Sequence, residues 1–357
     1  MKFPFFGSGS NNSLPFTKGG EGEFNVSRQI PPAPPFIKGG NLLPLRGAYC
    51  ELAELTGARF AASDWLLQQR QPATRVLSGR MRTALRGRGL EFEEVRAYQA
   101  GDDVRAIDWR VTARSGRTFT KLFREEREKP LLIVVDQRQP MFFGSSHCFK
   151  SKLAAYLGAL LAWSGLEQGD RVGGLVMGNN ERREIRPRHT RKTAMLWLNT
   201  LLHFNSVLRR DTQLAGSADS PLDAAAQSLS IALTELRRIA RPGSAIYLIS
   251  DFAGIDQPSM RDQLHALARH CEITALFIFD PLETELPAPA LYTITDGQQR
   301  FTLDSGDQQL RVKHRNAFAR HRAQVQQLMN ALAIPLLDIS TALPLLSQLA
   351  PLRKRAP

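Results

Sequence analysis

Apolar and polar positions follow two patterns along most of this chain, one typical of buried strands and the other of helices. Leu131 to Val135 is a continuous apolar run that stops at Asp136, as a strand buried on both faces would. Strands that alternate with helices indicate a mostly parallel sheet covered on both sides. The predicted fold class is α/β, with a doubly wound sheet. Further strands are expected at 171–177, 183–186, 244–250, 272–279 and 335–339, a hairpin at 292–303, and helices at 149–167, 193–204, 222–240, 260–270 and 311–332.

The chain before residue 130 lacks this alternation. Helical periodicity begins near Tyr49 and breaks at Gln71-Pro72, and glycines, charges and short β-prone pieces follow as far as Lys129. The first 47 residues hold 8 glycines and 7 prolines, a composition that predicts disorder. The predicted domains are therefore a disordered segment at 1–47, an N-terminal helix with a charged region at 48–129, and an α/β domain at 130–357.

Composition and charge limit the function without choosing one. A chain of 357 residues, 43% of them apolar, can bury a large core, and its three scattered cysteines fit a reducing compartment. The sequence shows no membrane-spanning run and no secretory signal, so we expect a cytoplasmic protein. A net charge of +13 leaves nucleic acid, anionic membranes and acidic proteins open as partners. The absence of a phosphate-binding loop, a nucleophile elbow and a metal-ligand spacing argues against an enzyme.

Acidic residues follow three of the predicted strands. They are Asp136, Asp251 and Asp280. Ligands of doubly wound sheets bind at the carboxyl ends of the strands. The sequence therefore predicts that this edge of the sheet carries the functional face.

The region between residues 87 and 127 contains a recognisable signature. GRGLEFEEVRAY at 87–98, GDDVRAIDWR at 101–110 and TAR at 112–114 are followed by Thr120-Lys121 and REER at 124–127. These segments closely resemble the signature of the domain of unknown function 58 family. The resemblance implies a signature region joined to a von Willebrand factor type A-like domain. It also implies an accessory or adaptor protein that acts with a MoxR-type AAA+ ATPase on a client protein.

The signature carries many opposite charges close together in sequence. Arginine suits such a network, because its planar fork can bond two carboxylate oxygens at once. The charges could form a structural network of salt bridges or a recognition surface for a partner. The residues concerned are Arg86, Glu91, Arg96, Asp102, Asp103, Arg105, Asp108, Arg110 and Arg114.

The resemblance to type A domains also implies a metal site, and the sequence departs from it. Such domains bind Mg²⁺ through an Asp-x-Ser-x-Ser loop, a Thr from a later loop and a distal Asp. Here Asp136 and Asp251 match the two acids, but Arg138 and Pro140 replace the two serines. Ser220 and Ser228 are the alternatives for the Thr position. We therefore expect no cofactor and no bound metal, with Mg²⁺ as the less favoured alternative. We also expect a degenerate binding face formed by Asp136, Arg138, Ser228 and Asp251, in which Arg138 takes the place of the cation.

The function predicted from the sequence is that of a non-enzymatic interaction module with no catalytic residues. A basic nucleic-acid-associated protein is the alternative, and a hydrolase has the least support. None of the seven histidines lies at a ligand spacing from a carboxylate motif, and no nucleophile is indicated.

Overall fold

The computed structural model describes residues 17–18, 45–69, 90–99, 102, 104–125, 130–214, 221–295 and 300–351. The chain divides into two compact units. One consists of Met1–Arg70 with Lys129–Pro357, and the other of Gln71–Glu128. None of the helices within the described ranges is both long enough and apolar enough to cross a membrane.

The elements of the described residues follow the predicted alternation. The strands are β1 (Thr17–Lys18), β2 (Leu90–Ala97), β3 (Phe119–Glu125), β4 (Pro130–Asp136), β5 (Arg171–Met177), β6 (Arg182–Arg188), β7 (Ala245–Ser250), β8 (Glu272–Phe279), β9 (Leu291–Thr295), β10 (Arg300–Asp304) and β11 (Leu336–Ser340). The α-helices are α1 (Leu52–Gln69), α2 (Trp109–Ser115), α3 (Lys150–Glu167), α4 (Arg191–Leu214), α5 (Pro221–Ile239), α6 (Pro258–Ala268), α7 (Pro281–Thr284), α8 (Gln308–Ala331) and α9 (Leu345–Gln348). Short 3₁₀ turns cover Val104–Ala106 and Gln139–Met141.

Six strands form the central sheet, in the order β11-β8-β7-β4-β5-β6. All neighbouring pairs are parallel except β5 and β6, which are antiparallel. The chain leaves β4 toward β5 and β6 and then returns to β7 on the other side of β4, so the strand order reverses between β4 and β7. The predicted fold class, a doubly wound and mostly parallel sheet of von Willebrand factor type A-like topology, is confirmed.

Strand β4 is buried on both faces, as its continuous apolar run predicts. Ile133 and Val135 enter one hydrophobic cluster, and Leu132 and Val134 enter the other, because successive side chains of a strand point to opposite faces. Helices α1, α3 and α4 supply the first cluster, and α5, α6 and α8 supply the second. The sheet is therefore the middle layer of a three-layer unit.

Helix α1 belongs to the larger unit and not to the signature region. The predicted 48–129 domain therefore differs from the structure in this part. The helix packs along α3 through small and apolar side chains, and the Trp163 indole donates a 3.1 Å hydrogen bond to the Leu55 carbonyl. Lys152 of α3 also donates to Glu54 at 2.8 Å. The buried residues of this helix are Leu55, Ala58, Ala61, Ala62 and Trp65.

The segment predicted to be disordered also contains described residues that form contacts. Thr17–Lys18 pairs antiparallel with β9. The Gly47 amide donates to the His147 carbonyl at 2.9 Å, and Lys152 donates to the Arg46 carbonyl at 2.7 Å. Residues 17–18 and 45–47 of the segment thus belong to the described structure, and residues 1–16 and 19–44 lie outside the described ranges.

Replacing Leu55 with alanine tests whether α1 is part of the α/β unit. The Leu55 side chain is fully buried, and Leu→Ala changes in cores cost roughly 2–5 kcal/mol. We expect a loss of that size in the free energy of unfolding in urea. Leu52→Ala, on the same helix but 38% exposed, is the control and should cost much less. If both variants lose the same small amount of unfolding free energy, α1 does not pack against the α/β unit.

Candidate functional site

The candidate site lies where the strand order reverses. Strands β4 and β7 are parallel neighbours, and Asp136 and Asp251 stand at their carboxyl ends. Both residues are buried, with 0% and 7% of their surfaces exposed. Two buried carboxylates at this position need compensating charge or hydrogen bonds.

Arg138 supplies that compensation to Asp136. Its Nε lies 2.9 Å from Asp136 Oδ1 and its Nη2 lies 2.6 Å from Oδ2, so the guanidinium bonds both oxygens of the carboxylate. The backbone amide of Arg138 also donates to Oδ1 at 2.9 Å. The side chains of both residues are fully buried. The pair is therefore a bidentate ion pair of the strong kind.

The same pair is tied to the loop after β7. Ser250 Oγ donates to Asp136 Oδ2 at 2.6 Å, and Arg138 Nη1 donates to the Ala253 carbonyl at 3.2 Å. Phe252 has a φ of +55°, a conformation that non-glycine residues adopt rarely. Its amide donates to Ser250 Oγ at 2.8 Å, which helps hold this turn.

A second cation lies beside Asp251. Lys150, the first residue of α3, is 1% exposed. Its Nζ donates to Asp251 Oδ2 at 2.9 Å and to Glu283 Oε1 at 2.7 Å. Glu283 lies in α7, after strand β8. The ammonium therefore joins the loops that follow three strands, β4, β7 and β8.

Electrostatics keeps the two cations and Asp251 charged. Burial would raise the pKa of Asp251, but Lys150 and Arg138 outweigh burial and hold that pKa below its usual range. Burial would lower the pKa values of Lys150 and Arg138, and the neighbouring carboxylates raise both of them. Glu283 differs, because burial raises its pKa more than Lys150 lowers it. The strand-end cluster, defined as Asp136, Arg138, Lys150, Asp251 and Glu283, is thus a set of mutually paired charges.

Asp280 closes the neighbouring strand end by a different contact. Its carboxylate accepts hydrogen bonds from the Leu282 amide at 3.0 Å, from the Ser145 amide at 2.9 Å and from Thr341 Oγ1 at 2.6 Å, and from the Ser145 hydroxyl. Asp280 is also the N-cap of α7, in a capping box with Glu283. This buried acid fastens the loops after β4, β8 and β11 to one another and is not available to a ligand.

The side chains at the strand ends do not fit the Mg²⁺ site of type A domains. Mg²⁺ requires about six oxygen ligands in octahedral geometry, whereas the guanidinium of Arg138 already bonds both oxygens of Asp136, and Lys150 bonds Asp251. Pro140 offers no side-chain oxygen. Within the described ranges, no three His, Cys, Asp or Glu side chains are grouped so as to hold a metal ion.

The structure places the predicted face residues in part. Asp136, Arg138 and Asp251 meet as described above. Ser228 lies in the first part of α5, at residues 221–228, where only the backbone is described, and Ser220 lies outside the described residues. The same strand ends also contain Lys150, Ser250, Asp280 and Glu283. The sequence alone indicated no site role for Lys150 or Glu283. Residues 280–283 read Asp-Pro-Leu-Glu directly after a predicted strand. An acid three residues after an Asp is the sequence signal of a capping box at the start of a helix, and this signal could have identified Glu283.

The signature residues lie in the smaller unit, where β2 and β3 form a two-stranded antiparallel sheet. Arg96 and Asp102 form an ion pair at 2.7 Å. A backbone hydrogen bond from Gln99, together with Arg96, lowers the pKa of Asp102. Asp108 accepts hydrogen bonds from the Arg110 and Val111 amides as the N-cap of α2.

The expected charge network therefore takes another form in the described residues. Asp108 caps a helix through the Arg110 amide, while the Arg110 side chain is exposed, so no buried Asp108–Arg110 ion pair forms. Arg105 and Arg114 are also exposed. Arg86, Asp103 and the side chain of Glu91 lie outside the described part of the chain.

Two cysteines, Cys50 and Cys148, lie in the hydrophobic cluster on the α3 side of the sheet, and their thiols are buried. Cys50 and Cys148 are 7% and 3% exposed. Burial raises the pKa values of both thiols to about 12. A thiol is nucleophilic as the thiolate, so these cysteines act as packing residues at neutral pH.

Comparison with known proteins identifies the family. Residues 94–324 match the family described as "Protein of unknown function DUF58". The chain belongs to the DUF58 family. The uncharacterized protein Rv1480 of Mycobacterium tuberculosis (strain ATCC 25618 / H37Rv) is 30% identical over 276 residues, which cover 77% of this chain and 82% of that protein. The uncharacterized protein Mb1516 of Mycobacterium bovis (strain ATCC BAA-935 / AF2122/97) has the same identity and coverage. The resemblance of the signature to DUF58 is therefore confirmed.

Solved structures similar to this DUF58 protein have low identity to it. The conserved hypothetical protein BatB from Bacteroides thetaiotaomicron is 12% identical, with a TM-score of 0.29, and the match covers 57% of this chain and 98% of BatB. The SpRpn10 VWA domain is 13% identical, with a TM-score of 0.31, over 62% of this chain and 93% of that domain. The fold assignment stands on the strand order given above.

Removing Arg138 tests the strand-end cluster. Arg138→Met leaves Asp136 buried without its partner, and such losses cost roughly 3–5 kcal/mol of stability. We expect the double variant Asp136→Asn, Arg138→Met to be clearly more stable in urea unfolding than the single Arg138→Met variant, because it removes the uncompensated charge. If the single variant is as stable as the double variant, the pair does not carry the buried charge.

Proposed function

We propose that this DUF58 protein is a non-enzymatic interaction module whose strand-end face binds a protein partner without a divalent cation. The observation that carries the proposal is the mutual pairing of buried charges at the strand ends. Arg138 bonds Asp136, and Lys150 bonds Asp251 and Glu283. A site that binds a metal or transfers protons would leave carboxylates accessible to a ligand. Here the carboxylates are bonded to Arg138 and Lys150, and these contacts hold the surrounding loops in place.

The partner that we propose is a MoxR-type AAA+ ATPase, acting with this protein on a client in assembly or remodelling. The support for this partner is the family resemblance. The support for the face is that its loops are held by buried charged contacts, so a partner meets a preformed surface and little ordering cost opposes binding. A cytoplasmic location remains our prediction.

The enzyme and nucleic-acid alternatives have weaker support. A hydrolase of this fold would use an activated nucleophile or a metal-bound water at the strand ends, and the carboxylates there are held by Arg138 and Lys150. A nucleic-acid-binding protein would need a basic groove, with aromatic side chains for single strands. The strand-end cluster is buried and does not form such a groove.

Binding to the ATPase can be tested with two matched pairs of substitutions. Ser146 and Asp256 are exposed in the loops after β4 and β7, and Ser146→Arg with Asp256→Arg should weaken capture of the purified MoxR-type ATPase at least tenfold. Gln168→Arg with Asp64→Arg makes the same charge change at exposed positions near Glu167, at the far end of α3, and should leave capture unchanged. Treating both proteins with nuclease should have no effect. Equal losses in both variants, or loss on nuclease treatment, would contradict the proposal.

Calorimetric titration with Mg²⁺ and Mn²⁺ tests independence from metal. We expect no micromolar binding to the full chain, because a cation entering the cluster would have to displace Arg138 from Asp136 and would face its repulsion. Adding EDTA should likewise leave capture of the ATPase unchanged. Micromolar binding of either ion that disappears in Asp136→Asn would show that the site holds a metal.

A further inference from the structure

A second surface lies at the antiparallel edge of the central sheet. Among the described strands, β6 pairs with β5 alone. Ile185 is the buried apolar residue of this strand, and the side chains on either side of it are largely basic. The basic edge, as we define it, consists of the exposed residues Arg183, Arg186, Arg188, Arg191 and Lys192 of β6 and the first turn of α4.

Within the part of the chain that the structure describes, carboxylates do little to neutralise the basic edge. Arg182 on the same strand is held by Glu235 at 3.2 Å, but it is not one of the exposed set. Glu184 approaches Arg186 at only 3.9 Å, with the Arg186 side chain 85% exposed. Such exposed pairs contribute little. The positive charge of this surface therefore faces solvent.

Two of these cations stand where they oppose helix stability. Arg191 and Lys192 are the first two residues of α4, just after Thr190, whose hydroxyl accepts the Thr193 amide at 3.1 Å. The amino terminus of a helix carries a positive partial charge, so cations there are unfavourable. Blunting a sheet edge against aggregation needs only a few charges or a proline, and β6 already contains Pro187. The excess of positive charge thus fits recognition of an anionic partner.

We propose that the basic edge binds an acidic, extended segment of a partner protein. An edge strand can offer backbone N–H and C=O groups to a polypeptide, and arginine forks bond carboxylates through two hydrogen bonds. Residues 182–192 contain no Phe, Tyr or Trp, so they lack the stacking side chains of single-strand nucleic-acid binders. This surface is distinct from the strand-end face, and its test is independent of the one proposed for the ATPase.

The test uses the full chain and a labelled peptide of alternating Glu and Thr. Arg183→Gln, Arg186→Gln and Arg188→Gln together should weaken peptide binding at least tenfold at about 0.1 M salt, while the melting temperature stays unchanged. The control replaces Arg269, Lys313 and Arg315 with Gln. These residues are also exposed. Their replacement changes the net charge by the same amount and should leave binding within twofold.

Two comparisons decide the chemistry of the partner. The same peptide with Gln in place of Glu should bind at least tenfold more weakly, and an oligothymidine of equal charge should bind more weakly than the acidic peptide. If the two triple variants weaken peptide binding equally, the binding depends on the net charge of the protein and not on the basic edge, and the proposal is wrong. Tighter binding of the oligothymidine, lost in the β6 variant, would replace the acidic protein segment with nucleic acid.

Discussion

The buried ion pair between Asp136 and Arg138 is the contact on which the strand-end cluster depends. A carboxylate with no exposed surface cannot stay charged without a partner, and Arg138 supplies three of its hydrogen bonds within two residues of chain. Across the whole cluster, two cations face three carboxylates. Glu283 has the most exposed side chain of the three carboxylates, at 26%, and burial still raises its pKa more than Lys150 lowers it.

Because of this pairing, buried ion pairs occupy the point where the strand order reverses, and they support the loops around it. In doubly wound sheets the loops diverge where the strand order reverses, which opens a crevice for ligands. Here Arg138 crosses from the β4 loop to the Ala253 carbonyl, and Lys150 crosses from α3 to Asp251 and Glu283. Because each cation bonds groups from more than one loop, moving one loop would expose a charge of another. The face above them is therefore held in one arrangement.

The amino-acid pattern predicted the central sheet well. Strands such as β4 and β8 are runs of apolar residues, and polar residues, Gly or Pro mark where they end. The same reasoning placed Asp136 and Asp251 at one edge, since parallel strands end together. Lys150 could not be found in this way. A lysine at the start of an apolar helix resembles a solvated end, and only the packing of α3 against the sheet shows that it is buried. The docking of α1 was missed for a related reason, because its contact face is made mostly of alanines.

The strand-end face and the basic edge of the larger unit differ in how their charges are distributed. At the strand ends, cations and carboxylates are buried together, so their fields largely cancel. At β6 the exposed arginines outnumber the carboxylates that pair with them among the described residues. Since screening weakens exposed charges over roughly 10 Å at 0.1 M salt, the basic edge acts on groups that come close to it. If the partner proposed for the strand-end face also carries an acidic segment, the two contacts are linked, and linked contacts raise affinity beyond either alone.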